Sequence, residues 1–562
     1  WGEGTIRFAR PLHWIVCLLG LETVRFQMAG IESGRTSRGA RFLGSPELTI
    51  ARAEEYPDRL KEGSVIVDLE ERRNRVAVSL AESGAGLGGG FRAEEHPDLL
   101  ATVTGMVEHP VACAGTFDRA FLSLPPAVLS TAMIHHQRFF PVRAPEGALA
   151  PHYVAILNCR SDPGVVDGIR RGNEWVLRAR LRDADFFWKE DLKRTLEDRL
   201  PDLDKVLFEG SLGSYLQKTK RLEVLAEALC RAMGSRGAAP DPSSVAEAAR
   251  LSKADLTTLM VKEFPELQGI MGALYARREK KREPVCLALE QQYLGTGDAP
   301  GRSRFSSPEG AALVVADRLD TLVGFFLLDR VPTGSRDPYG LRRAALALVQ
   351  ATVDQQLDYS LDSVLARASE LYAAQGVPGP AGGPDRIRQF LEERLRFVCQ
   401  ETHGFRYDAV NAAVAAGSAN LLDAFRRAGA LDGIRGHADF EALLLSYRRV
   451  NNILAGQEPP ALEPSALAPG EERSLHAALA GVEEQAGPLL SRGEYPPVLR
   501  LMATLRSPLD RFFEKVLVMD PDTRKRGNRL ALLQRISLLF LKVGDFALMV
   551  LEGEGAPERP KE

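Results

Sequence analysis

From about residue 165 to about residue 552 the apolar residues recur at helical spacing, and this long run constrains the fold more than any other feature. The stretch 196–230, rich in Leu, Lys and Glu, is typical of it. Before it, up to about residue 151, the pattern is mixed. Residues 5–8, 64–67 and 152–157 read as strands, between frequent Pro and Gly punctuation. The expected architecture is an α+β N-terminal part followed by an all-α remainder. Four stretches interrupt the helical run: 234–242, 294–309, 376–384 and 455–472. Each is dense in Gly, Pro or small polar residues, which cannot propagate a helix. The tail 553–562 is expected to be disordered. A chain of 562 residues suggests roughly three to five domains.

Charge narrows the function classes. Seventy-two Lys and Arg stand against 75 Asp and Glu, so any nucleic acid must be met by local patches rather than a global field. The six cysteines are far apart and form no CxxC pair, which fits neither a zinc site nor a disulfide framework and points to a reducing, intracellular compartment. The longest early apolar run, 14–21, is too short for a membrane span of about 20 residues. The chain opens at Trp1 without an initiator Met, as a fragment would.

The motifs that could carry chemistry are weak. GAGLGG at 84–89 matches GxGxxG, but a dinucleotide site needs a strand before the glycines, and a charged segment of helical character precedes them. A flexible surface loop is the expectation there. No GxxxxGKS or GxxxxGKT phosphate loop occurs. His135 and His136 are adjacent, so their side chains diverge and a shared metal is disfavoured. Around Lys253, Asp255 and Asp317 the sequence is similar to a helical HD-type domain, whose active members hold divalent metal with histidines. Yet no His lies between His152 and His403. Two carboxylates beside a lysine make a poor transition-metal site. We expect a retained fold without the hydrolase chemistry, with Lys253 and Asp255 as an internal ion pair. An HD-type metal-dependent phosphohydrolase is the alternative, and a helical scaffold without an RNA role is a third reading.

The C-terminal third is more suggestive. Leu443, Tyr447, Val450 and Leu454 give one apolar helix face, which leaves Arg448, Arg449 and Asn452 pointing outward. Residues 496–535 carry nine Lys and Arg against four Asp and Glu. Several basic helices together suit a phosphate-backbone surface. Arg406 and Tyr407 add groups able to stack on unpaired bases. The candidate RNA contacts are Arg406, Tyr407, Arg448, Arg449, Asn452, Arg511, Lys515, Arg524 and Arg529.

An ordered set of segments gives these residues a context. It comprises IRFARPLHWIVCLLG (6–20), RTSRGARFLG (35–44), LPPAVLSTAMIHHQRFFPV (124–142), GNEWVLRARLRDADFFWKEDL (172–192), LSKADLTTLMVKEFPELQGIMG (251–272), ADRLDTLVGFF (316–326), TGSRDPYGLRRAAL (333–346), RFFEKVLVM (511–519) and NRLALL (528–533). Together they resemble the β subunit of bacterial heterotetrameric glycyl-tRNA synthetase. Two features depart from that family: Ala40 stands where its TRGHRF motif has His, and a further N-terminal segment is absent. The resemblance implies an α+β body with a B3/B4-like region (1–195), a degenerate HD-like helical domain (196–346), a helical linker (347–383) and a helical anticodon-binding domain (384–552). It also implies a cytoplasmic α2β2 ligase. In it, this chain binds glycine tRNA, while the α subunit binds ATP and Mg and carries the catalysis. No catalytic or metal-binding residue is expected on this chain.

Overall fold

A computed structural model describes residues 12–550, except 44–45, 235, 296–303, 335, 378, 380–382 and 437–439. The chain forms two compact units. One holds residues up to Lys193 together with Leu259–Leu267, and the other holds Arg194–Thr258 and the chain from Gln268 onward.

The first unit is α+β. Its main sheet is antiparallel, with strand order Arg92–Ala93, Phe140–Arg143, Leu149–Asn158 and Pro110–Thr116. Leu149–Asn158 pairs with Pro110–Thr116 over seven residues, from His152 opposite Thr116 to Asn158 opposite Pro110. The strand expected at 152–157 lies inside it. Alternation explains the core: Phe140 and Val142 from one strand and Val154 from the next pack with Leu80, Leu99 and Val103 of two helices. Residues 64–67 form no strand. Ser64 adopts a left-handed conformation (φ 60°); the N–H groups of Ser64 and Val65 turn back to Lys61 O and Leu60 O, and that of Ile66 reaches Glu108 O at 3.0 Å. The turn conformation outweighs the β-branched residues around it. The strand expected at 5–8 and the tail at 553–562 lie outside the described residues. Ala40 is buried, its N–H bonded to Gly63 O at 2.8 Å.

The helix Pro163–Asp191 begins with Pro in its first turn, where the missing N–H costs nothing. Leu177, Leu181, Ala184 and Trp188 form its buried side. The GAGLGG stretch is not a free loop throughout: helix Leu69–Gly86 runs into it, and Gly84 is buried, an added Cβ meeting Ala93 N at 2.6 Å.

The second unit is built around helix Pro308–Leu327, apolar on nearly every side and buried along most of its length. Ser307 caps it by accepting from Gly310 N–H at 3.2 Å. Helices Tyr215–Arg231, Glu283–Gln291, Leu341–Asp354 and Leu361–Ala374 surround it. Tyr215–Arg231 starts with a capping box between Ser214 and Gln217. Two short strands, Leu207–Glu209 and Gly213–Ser214, interrupt the expected helical run at its start. Among the described residues no helix is long and apolar enough to cross a membrane.

Candidate nucleic-acid interface

Charged residues occupy two contrasting places in the helical unit. The first is its interior, where Lys253, Asp255 and Asp317 fall. Lys218 enters from helix Tyr215–Arg231, at a position in register with Leu222, Leu225 and Leu229. Its ammonium lies 2.8 Å from Asp317 Oδ1 and 2.9 Å from Asp320 Oδ2. Arg221 donates to Asp320 through Nε at 2.7 Å and Nη2 at 3.1 Å. Lys253 and Arg318 both reach Asp317 Oδ2, at 3.0 and 2.9 Å. All are buried. The expected Lys253–Asp255 pair is therefore not the arrangement found. Lys253 turns to Asp317 and to Gln292 at 2.9 Å, while Asp255 accepts from the backbone N–H groups of Gly269 at 2.6 Å and Gly272 at 3.1 Å. Helix Ile270–Arg278 starts just after the left-handed Gly269, its first N–H groups need an acceptor, and Asp255 supplies it.

The electrostatics follow the geometry. Burial would raise Asp317 and Asp320, but Lys218 and the neighbouring cations outweigh it and hold both carboxyls below the usual range. Burial pushes Asp255 up to about 6, because its backbone donors compensate only in part. Burial also lowers Lys253, to about 8, despite Asp317. Ammonium and guanidinium groups thus sit on the carboxylate oxygens that a dication would need. Lys218, Arg221 and Asp320 were not among the expected residues. The signal for them was a lysine within a heptad-like Leu row.

The second place is the C-terminal surface. Helix Phe440–Leu454 buries Leu443, Tyr447 and Val450, as the spacing predicts. Arg449 is exposed, 4.2 Å above the Phe513 ring of helix Arg506–Lys515, and Asn452 is exposed beside it. Arg448 departs from the outward expectation: it is half-buried and donates to Met549 O at 2.7 Å, fastening the chain end to the helix. Arg511 and Lys515 lie 3.8 and 2.7 Å from Glu471, both largely exposed. Arg524 is exposed and 2.8 Å from Glu463. Arg529 departs more strongly. It is buried, with Nε 2.8 Å from Glu472 and Nη1 2.7 Å from Asp520. Arg529 lies one helical turn after the exposed Lys525 on the same side of the helix, and it is Glu472 and Asp520, distant from that turn, that draw it inward. The contacts therefore bring Arg449, Arg511 and Lys515 together through helix Arg506–Lys515, and Arg524 joins them by way of the 455–472 segment.

Arg406 and Tyr407 are exposed at the start of helix Tyr407–Ala415, Tyr407 with 39% of its surface accessible, so its ring is not a core element. Beneath them Asp408 is fully buried, accepting from Arg435 and from Val550 N–H at 2.7 Å. In the first unit, His135 and His136 lie in the π-helical turn Ala132–Gln137, His136 with its ring 4.8 Å from Phe264 and its Nε2 3.8 Å from Glu266.

Comparison with known proteins adds an independent line. A family model described as glycyl-tRNA synthetase beta subunit matches residues 1–415, and one described as DALR anticodon binding domain matches residues 443–543. The chain is 40% identical over 556 residues to the glycine–tRNA ligase beta subunit of Moorella thermoacetica, covering 98% of this chain and 78% of that protein. It is 37% identical over 560 residues to the one of Syntrophus aciditrophicus, with 98% and 78% covered. For Anaeromyxobacter dehalogenans the values are 39% over 549 residues, with 96% and 76% covered. The phosphohydrolase alternative gains no support from these matches.

Proposed function

The chain belongs to the glycyl-tRNA synthetase beta subunit family, and from that premise we propose that it binds glycine tRNA and positions it for ATP-dependent aminoacylation on a smaller alpha subunit. The observation that carries this reading is the anticodon-binding match at 443–543, which falls on the helices that present Arg449, Arg511, Lys515 and Arg524. Exposed guanidinium and ammonium groups exchange counterions for phosphates, so this surface suits an RNA backbone. Tyr407 and Arg406 at the start of a neighbouring helix suit unpaired bases. Arg448 and Arg529 serve the surface indirectly, by fixing the helices that display the others.

In this reading the holoenzyme is a cytoplasmic α2β2 ligase, with ATP and Mg bound by the alpha subunit. This chain divides into the α+β body with a B3/B4-like region, the degenerate HD-like domain of 196–346, a helical linker and the anticodon-binding domain of 384–552. The buried Lys218, Lys253, Asp317 and Asp320 cluster acts as a structural core in place of a metal centre, and Asp255 as a backbone acceptor. Anticodon and acceptor end lie far apart on a tRNA. A chain of several domains can hold one while the other reacts, which makes the transfer effectively intramolecular.

The test is reconstitution. The chain mixed with its alpha partner should charge glycine tRNA, and the chain alone should not. Glycine-dependent pyrophosphate exchange by the isolated chain would overturn the division of labour, and failure to bind tRNA in a filter titration would overturn the reading itself.

A further inference from the structure

Helix Pro163–Asp191 carries a surface that its packing does not use. At 100° per residue, Arg171, Trp175, Arg178, Arg182, Phe186 and Lys189 fall within one narrow stripe, well away from the side that buries Leu177, Leu181 and Trp188. The stripe is open: Trp175 is 70% exposed and Phe186 56%. Arg171, Arg178 and Arg182 are exposed too and, among the described residues, form no ion pair. The acids at the edge of the stripe are already paired, two with Arg170 outside it and one with the stripe's own Lys189. Asp167 and Glu174 lie 3.1 and 3.7 Å from Arg170, and Asp185 lies 2.5 Å from Lys189. An exposed indole flanked by guanidinium groups without acids offers both a stacking face and positive charge to one partner.

We propose that this stripe is a second RNA-binding surface, taking unpaired nucleotides of the tRNA bound by the chain. The proposal rests on the tRNA-binding reading above and adds a site in the α+β unit. Charge decides the occupant. Three guanidinium groups without an acidic partner among the described residues make the patch positive, which favours an anionic occupant, and two of the three lie between the rings. A single-stranded RNA platform has this composition, with cations tracking the backbone and rings receiving bases. The rings sit about 16 Å apart along the axis, with Arg178 and Arg182 between them. Bases must be unpaired to stack here, because a duplex hides their faces.

The experiment is a salt titration of glycine tRNA binding with the full chain, in wild type and in the triple variant Arg171→Gln, Arg178→Gln, Arg182→Gln. Loss of three single-strand phosphate contacts should weaken binding at least tenfold and lower the slope of log affinity against log salt by about 2. The triple Arg→Lys variant should keep the slope. Trp175→Ala should weaken binding about tenfold with the slope unchanged, since stacking releases no counterions. Melting temperatures should be unchanged in all of them. Unchanged affinity in the triple variant, with weakened binding in Arg449→Ala, would overturn this proposal and leave the tRNA reading standing. A wild-type chain that binds no tRNA would overturn both. A photo-cross-linking residue at position 175 in the complex with alpha subunit and tRNA should yield an RNA adduct. An adduct to protein would assign the stripe to subunit contact and overturn the proposal.

Discussion

The interior of the helical unit and its C-terminal face are both rich in cations, yet they hold them differently. Inside, Lys218 bridges Asp317 and Asp320, and Arg221 grips Asp320 with two bonds, all without solvent. On the face, Arg524 meets one acid, Glu463, with 78% of its side chain in water. A buried charge has lost its hydration and depends on its partners, so it cannot be lent to a ligand. An exposed pair contributes about 0–1 kcal/mol and can be exchanged for a phosphate at little cost. A count of lysines and arginines therefore says little about RNA binding until burial is known.

The largest effect should come from breaking the interior. Asp320→Ala leaves Arg221 without its carboxylate and Lys218 with only one, and should cost about 3–5 kcal/mol. Thermal unfolding followed by circular dichroism would register this as a large drop in the melting temperature of the helical unit. Arg524→Ala, measured alongside, should move it hardly at all. Equal shifts in the two variants would erase the distinction between interior and face.

The converse experiment reads binding. Arg449→Ala, Arg511→Ala and Lys515→Ala combined should leave melting nearly unchanged and lower tRNA affinity by one to two orders of magnitude at moderate salt. Each lost backbone contact should reduce the salt slope by about 0.7 to 0.9. If the triple variant melts early and binds normally, the face is structural after all.

A pH titration sharpens the contrast within the interior itself. Asp255 is raised to about 6 from its ordinary value near 3.8, so the folded chain holds that proton more tightly than the unfolded one. Its contribution is present below the ordinary value and is lost as pH rises towards 6. Asp317 and Asp320 are depressed and behave in the opposite sense: their contribution is present above the ordinary carboxylate value and fades in acid. Asp255→Asn, which retains an acceptor for Gly269 and Gly272, should flatten the stability decline between about pH 4 and 6. The acid limb below about pH 4 should survive. A decline unchanged by Asp255→Asn would assign it to another group.

The two regions were unequally legible in the sequence. The helical run, the strand around 152–157 and the apolar row Leu443, Tyr447, Val450 were visible, because each rests on local periodicity. The directions of Arg448 and Arg529 were not. Both lie at positions a helix net leaves open, and each is drawn inward by a partner distant in the chain, Met549 O or Glu472. Lys253 found Asp317 rather than its neighbour Asp255 for the same reason: a buried ammonium goes to the carboxylate that the tertiary fold brings to it. The stripe on Pro163–Asp191 has a legible spacing of 4, 3, 4, 4 and 3, but spacing alone does not show which of two helix faces is packed, and here the apolar face of Leu177, Leu181 and Trp188 takes the core.

The smallest predicted effect tests whether the face is held in reserve. Glu471 occupies the first turn of helix Glu471–Arg492 and shares its carboxylate between Lys515 at 2.7 Å and Arg511 at 3.8 Å. The Lys515 hydrogen bond, helped by both charges, holds its carboxyl below the usual range, so at neutral pH it competes with RNA phosphate for the same two cations. Glu471→Gln removes that competitor and also one negative charge repelling the RNA. Binding of tRNA should therefore strengthen by a few-fold, and the gain should shrink as salt screens both interactions. A negative residue in a first helical turn also favours the helix dipole, so melting should fall slightly while binding improves. The opposite signs are the point of the measurement. A variant that binds tRNA less well would mean that Glu471 organises Arg511 and Lys515 for the ligand, and that the exposed pairs are as fixed in purpose as the buried ones.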